Sequence, residues 1–493
     1  MNGLHKLLLV PHPVSRVTET LQGAGFEAYL VGGCVRDLIM GKKPKDWDVT
    51  TNARPQEIIT LFPKTFYEND FGTVGVVNED TEDETLRVVE VTPYRLEGGY
   101  SDKRRPDTVT FTRNLEDDLL RRDFTINAMA YDPDKRQLVD LYKGQEDIKD
   151  KIIRAVGNPD ERFNEDALRI MRAIRIATEI GFIIETETGE AIRKHADSLK
   201  AIAVERIQVE FSKMIMSPEP MVGVISLHEH GILKHIAPEL ETGLGVEQNG
   251  DHIYHVWEHN LRAVQHSAER GWPLHIRLAA LFHDIAKPET RRFSEEKRDW
   301  TFYGHDVVGG RVTKGIMARL KYPKDMTDTV AKLVRWHLFF TDIDKITLSA
   351  VRRLVRNVGP ENVWDLMKVR ACDRIGMGRP KEKPYRLRKY EAMIEEATRA
   401  PVSVGMLKID GARIMELTGE KPGPRLGFIL HALLEEVLED PELNTKDYME
   451  ERTIALAHMS DDTLKTIGER GKERKEEEEE REVGEIRKKH KVK

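Results

Sequence analysis

The stretch Leu30-Val-Gly-Gly-Cys-Val-Arg-Asp37, followed by Asp46-Trp-Asp48, decides how the first part of this chain is read. Tyr29, Leu30 and Val31 form an apolar run that reads as the end of a short buried strand. Gly32 and Gly33 carry no Cβ, so the backbone can turn tightly there and let a ligand come close. Cys34 to Met40 then reads as the opening turns of a helix, whose free amide N–H groups face the turn and suit phosphate oxygens. After Gly41-Lys-Lys-Pro44, the run Asp46-Trp-Asp-Val-Thr50 reads as a second strand. Residues two apart on a strand share a face, so the carboxylates of Asp46 and Asp48 point the same way. Paired carboxylates beside a phosphate cradle are what two-metal catalysis needs, with Mg²⁺ ions about 3.5–4 Å apart. A Gly-Gly pair alone is usually a turn, and a DxD run alone is often a solvated loop. In this order they predict nucleotidyl transfer.

The surrounding sequence predicts a domain of short strands and helices. Residues 14–23 read as a helix, and Asn52 is placed to cap another that opens at Ala-Arg-Pro-Gln-Glu57. Residues 71–77 and 85–92 are rich in β-branched side chains and read as neighbouring strands. Glu90, on the second, is a candidate third metal carboxylate, its alternative being a plain exposed strand residue. The basic, Gly-rich loop 97–106 is a candidate substrate contact or an ordinary surface loop. In residues 117–130, Leu119, Leu120, Phe124, Ile126 and Met129 can supply an apolar face. Arg121, Arg122, Asp123 and Asn127 then offer polar groups for a nucleotide's phosphates and ribose, or for internal salt bridges.

Beyond residue 143 the pattern is helical. Residues 165–177 carry apolar side chains at helical spacing and set Asp166 and Arg169 at i and i+3, on one surface. A carboxylate beside a guanidinium fork can read the edge of a base, or can form an exposed ion pair. Residues 204–210 head a further amphipathic helix, read as scaffold. Between 226 and 380 histidines gather: His255, His259, His283 next to Asp284, His305 and His337, followed by Asp373. Imidazoles and carboxylates suit Zn, Mn, Fe, Ni or Mg, and a metal there would serve phosphate hydrolysis. His228, His230, His235 and His266 read as ordinary packed residues. Residues 381–465 are helical with Pro and Gly punctuation, and the charge run from 466 reads as a solvated helix without chemistry.

Composition narrows the class. A chain of 493 residues is too long for a single core. Its net charge of −7 leaves any RNA contact to local basic patches rather than to the overall field. The two cysteines, Cys34 and Cys372, exclude a disulfide framework and a Cys-rich zinc site. No run approaches the ~20 apolar residues of a membrane helix, and the apolar start is too short for a signal sequence. The expectation is a cytoplasmic protein with no membrane contact.

Taken in order, LVGGCVRD with DWDVTT, RRDFTINAMAYD, DLYKGQEDI, EDALRIMRAIRIATEIGF and AVERIQVEF resemble the five head-and-neck motifs of class II tRNA nucleotidyltransferases. That family holds CCA-adding enzymes and bacterial poly(A) polymerases. His259, His283, Asp284 and Asp373 resemble the HD phosphohydrolase signature, and IDGARIMELTGEKPGPRLGFIL resembles the tail of such enzymes. The resemblance implies an α+β chain: a polymerase-β-like nucleotidyltransferase head with a small mixed sheet, followed by all-α neck, HD and tail domains. The expected divisions are a head at 1–142, a base-recognising neck at 143–225, an HD domain at 226–380, a tRNA-binding tail at 381–465 and a charged extension at 466–493.

It further implies that Asp46 and Asp48, with Glu90, hold two Mg²⁺. Gly32, Gly33 and Arg36 would belong to the triphosphate site, and Arg122, Asp123 and Asn127 to ribose and phosphate contacts. Asp166 and Arg169 would read CTP and ATP, with Arg172 beside them. In the HD segment, His259, His283, Asp284 and Asp373 would bind a divalent metal of unspecified identity, and His305 and His337 a second. The implied partner is tRNA, the implied substrates CTP and ATP, and no oligomeric state is specified. Addition of only CC or only A is the near alternative. Poly(A) synthesis is disfavoured by the lack of a basic marker run after the metal strands. A nucleotide phosphohydrolase with an RNA-binding head is the alternative from another class.

Overall fold

The computed structural model describes residues 8–67, 72–98, 108–250, 252–338, 346–399 and 403–492. Of the segment 97–106, expected as a substrate contact or an ordinary surface loop, Glu97 and Gly98 belong to a short strand Arg95–Gly98, and 99–106 lie outside the described residues, as does Phe71.

A seven-stranded mixed sheet forms the head. Its strands are β1 (Ala28–Val31), β2 (Trp47–Thr51), β3 (Thr65–Tyr67), β4 (Val74–Val77) and β5 (Val88–Pro93), joined by Met129–Asp132 and Gln137–Asp140. In space the order is β3, β4, β5, β2, β1, Met129–Asp132, Gln137–Asp140. Within this sheet, among the described residues, only β2 and β5 pair in parallel. Alternation sets the two faces of the sheet. Trp47 and Val49 of β2, with Val89 and Val91 of β5, enter a core completed by Val14, Val17 and Leu21 of the helix His12–Gly23. The intervening residues, Asp48 on β2 and Glu90 on β5, are therefore kept off that core. The parallel register sets Asp48 directly beside Glu90.

Three local expectations are corrected here. Asn52 does not cap the next helix: Arg54 is the N-cap residue of Pro55–Leu61, while the Asn52 Oδ1 accepts from the Glu27 amide at 2.8 Å. The strand expected over 85–92 begins as a 3₁₀ turn at Glu84–Leu86, before β5. The helix expected over 165–177 is broken at Asp166, which ends Pro159–Glu165 before Leu168–Ile180 begins.

Behind the head, the helices Thr186–His195, Val204–Ile215 and Pro220–Glu229 lead to a helical bundle. That bundle contains Val256–Glu269, Leu274–Phe282, His305–Arg319 and Lys324–Trp336. Residues up to Leu338, together with 368–380, make one compact unit. The second unit comprises the remaining residues of 339–367 and 381–493. Its core joins Ile414, Ile429, Leu433, Leu434 and Met449. The charged terminal run belongs to the helix Asp461–Lys489, and it is not wholly solvated. Leu464 is buried, and a Cβ on Gly468 would lie 2.6 Å from the Phe428 Cα, so glycine there permits backbone-close packing.

Candidate active site and metal centre

The glycine turn and the DxD strand meet as the sequence predicts. Gly32 has φ +77°, a left-handed conformation that favours glycine. A Cβ on it would stand 3.1 Å from Asp48 Oδ2 and 3.4 Å from an Arg122 Nη. The turn is thus closed down onto the carboxylate and the guanidinium. Asp46 lies exposed just before β2, and Asp48 and Glu90 are half-buried. Asp46, expected on the strand, lies in the bend before it, so the structure pairs Asp48 with Glu90 alone; carboxylate oxygens are the ligands that a hard cation such as Mg²⁺ takes.

Arginines around the turn are held by buried carboxylates. Asp118, fully buried, accepts from Arg121 at 2.6 Å, from Arg122 at 3.0 Å and from the Thr50 hydroxyl at 3.1 Å. Burial pushes the Asp118 carboxyl up, and Arg121 and Arg122 outweigh it, leaving it below the usual carboxylate range. Asp123 is also buried. Its Oδ2 takes Nε and Nη2 of Arg172 at 2.8 and 2.6 Å. Its Oδ1 accepts from the Phe124 amide at 2.8 Å and the Asn127 amide at 3.2 Å. Asn127 in turn accepts from Arg36 at 3.1 Å, and Arg36 pairs with Asp37 at 2.7 Å. The predicted residues Arg36, Asp123, Asn127 and Arg172 therefore form one connected chain from the glycine turn to the neck.

Asp166 and Arg169 do not form the predicted pair. Asp166 sits outside the helix, where its Oδ1 accepts from the Leu168 amide at 3.0 Å and its Oδ2 from Arg206 at 3.0 Å. Arg169 instead binds Glu165 at 2.6 Å and the Arg121 carbonyl at 2.8 Å. An Asp side chain that caps the following helix competes with helical continuation, and this breaks the i, i+3 relation. Arg206, read from sequence as scaffold, is the residue that fixes Asp166. A cleft of about 510 Å³ runs alongside, lined by Gly33, Arg36, Asp46 and Asp48 of the head and by Arg175 and Lys213 of the neck. It lies within the size range of small-molecule sites.

The histidines gather in the helical bundle. His259, His283, Asp284, His305, His337 and Asp373 are all buried. His283, His305 and His337 each set Nδ1 against the carbonyl three residues earlier, at 2.8, 2.6 and 2.7 Å. That bond fixes ring orientation and turns each Nε2 inward, as metal-ligating histidines do. Asp284 lies between two groups. Its Oδ2 is 2.9 Å from His259 Nε2 and 3.3 Å from His283 Nε2. Its Oδ1 is 3.2 Å from His305 Nε2 and 3.4 Å from His337 Nε2. Asp373 Oδ1 completes the first side, 3.4 Å from His259. The potential ligand sets are His252, His259, Asp284 and Asp373 on one side, and Asp284, His305 and His337 on the other.

The electrostatics of this cluster call for positive charge. Burial would depress the His283 imidazole, but Asp284 and Asp373 outweigh it and raise it to about 10. Lys287 approaches Asp284 Oδ2 at 2.6 Å. Two nitrogens of adjacent imidazoles, His259 and His283, lie only 2.8 Å apart, both directed at the carboxylates. These residues fit a divalent cation.

Six of the residues that the sequence singles out are brought together here, whereas His255 is the exposed N-cap residue of Val256–Glu269. Sequence reasoning missed His252 and Lys287. Lys287 was detectable, standing one helical turn beyond Asp284; His252 precedes the helix and carries no periodic signal.

Three family models match the chain: the poly A polymerase head domain over residues 28–154, the probable RNA and SrmB-binding site of polymerase A over 181–244, and the HD domain over 252–378. The chain thus carries, in order, a poly A polymerase head domain, a region similar to the RNA-binding site of polymerase A and an HD domain. Among curated relatives it is similar to a CCA-adding enzyme of Limosilactobacillus reuteri, 44% identical over 240 residues, covering 48% of this chain and 58% of the relative. A CCA-adding enzyme of Lactobacillus helveticus is 50% identical over 203 residues, covering 41% and 49%. The chain therefore spans about half the length of the curated relatives it matches. A solved structure of the Bacillus stearothermophilus CCA-adding enzyme in complex with CTP aligns over 90% of this chain and 98% of that one, at 27% identity and a TM-score of 0.59.

Two outcomes are expected. Asp123 has its carboxyl held far below the usual range, because Arg172, aided by Asn127, overrides its burial. Its contribution to stability is full above the unfolded carboxylate pKa of about 3.9 and is lost as pH falls below it. Asp123→Asn should lower stability at pH 7 and flatten the acid-side decline in urea-unfolding midpoints; a decline as steep as wild type contradicts this role. At the second site, adding Mn²⁺ to chelator-treated protein should raise the melting temperature by several degrees through binding to the native state. In Asp284→Asn that rise should shrink or vanish, whereas an equal rise contradicts the cluster as a metal centre.

Proposed function

We propose that this protein adds CCA to the 3′ ends of tRNA from CTP and ATP. The observation that carries the reading is the parallel register of β2 and β5, which sets Asp48 beside Glu90 beneath the Gly32 turn. Support comes from relatives named as CCA-adding enzymes and from the CTP complex of the B. stearothermophilus enzyme. Asp46, Asp48 and Glu90 would hold Mg²⁺, which when bound activates the attacking oxygen and neutralises charge on the leaving one.

The chain's own groups would do the rest. Gly32 and Gly33 let the triphosphate approach the backbone closely. Arg36 and Arg122, already oriented by Asp37, Asn127 and Asp118, present guanidinium forks to phosphate oxygens without further ordering. Asp123 and Asn127 hold that framework against Arg172, and Asn127 fixes Arg36. Asp166, fixed by Arg206, and Arg169, fixed by Glu165 and the Arg121 carbonyl, read the base from separately anchored positions. A site whose polar groups pair with C and A leaves them unpaired against other bases, and this is the stronger form of discrimination.

A second activity is favoured by the buried His and Asp cluster around Asp284. We assign it divalent-metal phosphohydrolysis of 2′,3′-cyclic phosphates or 2′-nucleotides. A bound metal there polarises phosphate and activates water. Asp284 and Asp373, with His259, His305 and His337, would hold it, the rings of His305 and His337 being fixed by backbone carbonyls.

The test uses transcripts ending before CCA, after C and after CC, each with Mg²⁺ and CTP, ATP or both. Wild-type protein should complete CCA on the shortest transcript, and Asp48→Asn should lose on the order of 10³-fold or more in rate. Extension by C alone or by A alone contradicts full CCA addition. Undiminished incorporation by Asp48→Asn contradicts the assigned carboxylates.

A further inference from the structure

The second compact unit carries an arginine ridge that neither proposed site uses. The helix Leu348–Val358 is strongly amphipathic: Val351, Leu354, Val355 and Val358 are buried, while Arg352, Arg353 and Arg356 are exposed. Arg352 and Arg356 are one turn apart, as are Arg353 and Arg356, so all three lie along one surface. With Ser349 they line a shallow groove of about 410 Å³. The helix itself contains no acidic residue.

The ridge differs from several arginines of the same unit that are held by carboxylates. Arg413 is bound by Glu450 and Glu416, Arg452 by Glu436, Arg399 by Glu482 and Arg470 by Glu435. Among the described residues, Arg352, Arg353 and Arg356 have no hydrogen bond or ion pair. Like charges one turn apart on a helix repel and weaken it. Three such groups without a neutralising carboxylate are a local cost to the fold, the kind of conflict expected where a surface is kept for a ligand.

We infer that Arg352, Arg353 and Arg356 form a contact surface for the sugar-phosphate backbone of tRNA. The choice of RNA rests on the CCA-adding reading. Guanidinium forks suit phosphate oxygens, and several in a row suit a run of phosphodiesters better than a single phosphate. In a chain of net charge −7, such attraction has to be local. A membrane surface is disfavoured, because the helix's apolar face is already buried in protein and none is left to insert.

The test titrates fluorescein-labelled tRNA with full-length wild type and with R352Q/R353Q/R356Q, across 50–200 mM salt. Because the three side chains are exposed and repel one another, the variant should melt at or slightly above the wild-type temperature. It should bind tRNA on the order of tenfold more weakly, with the slope of log affinity against log salt shallower by about 2 to 3. KM for tRNA should rise, and R352K/R353K/R356K should recover most of the affinity. Equal affinity and an equal slope in wild type and glutamine variant overturn the ridge. So does weakened binding without a change in slope, which would mark a structural effect. CCA addition by wild type, scored separately, reports on the enzymatic reading. Its failure beside a ridge-dependent tRNA affinity would sink that reading and leave the ridge.

Discussion

The buried carboxylate of Asp123 is the constraint on which the first unit depends. Both of its oxygens are occupied, one by two nitrogens of Arg172 and the other by the Phe124 and Asn127 amides. A buried charge is tolerated only when paired and fully hydrogen-bonded, so the neck helix bearing Arg172 cannot shift without stranding it. Through Asn127 the same network reaches Arg36, on the helix that follows the glycine turn. The helix after the glycine turn and the helix bearing Arg172 are thereby tied to one node. Asp118 plays the parallel part inside the head, holding Arg121 and Arg122 against β2 through Thr50.

The two metal-suited sites solve opposite problems. In the head, Asp46, Asp48 and Glu90 remain at least partly exposed, which leaves room for a triphosphate and an incoming RNA end. In the bundle, His259, His283, Asp284 and His337 are almost entirely buried, and backbone carbonyls fix the rings of His283 and His337. The first arrangement suits ions that arrive with substrate and keep water ligands; the second suits a resident ion held by a preformed cage.

What the sequence made legible was local. The Gly-Gly turn and the place of Asp48 on its strand follow from short-range pattern, whereas Asp46 falls in the bend before β2 and Glu90 meets Asp48 only through the pairing of β5 with β2; the α+β head followed by helical domains agrees with the structure. What escaped was set by tertiary choice. The Arg172–Asp123 bond spans 49 residues and the Arg206–Asp166 bond 40, so no spacing rule announces either. Asp166 was read as helical because its neighbours are periodic, yet its side chain caps the next helix and ends the previous one. Asn52 lost its capping role to Arg54 because the Glu27 amide claims its side chain. The ridge at Arg352, Arg353 and Arg356 was visible as charge, but its want of carboxylate partners emerges only once the chain is folded.

The most direct test of the account is anomalous diffraction from crystals grown with Mn²⁺ and CTP. The account predicts manganese peaks bound by Asp46 and Asp48, with the CTP triphosphate against the Gly32–Gly33 turn and its base toward Asp166 and Arg169. Manganese confined to the His and Asp cluster around Asp284, with CTP bound there and the head empty, would contradict it.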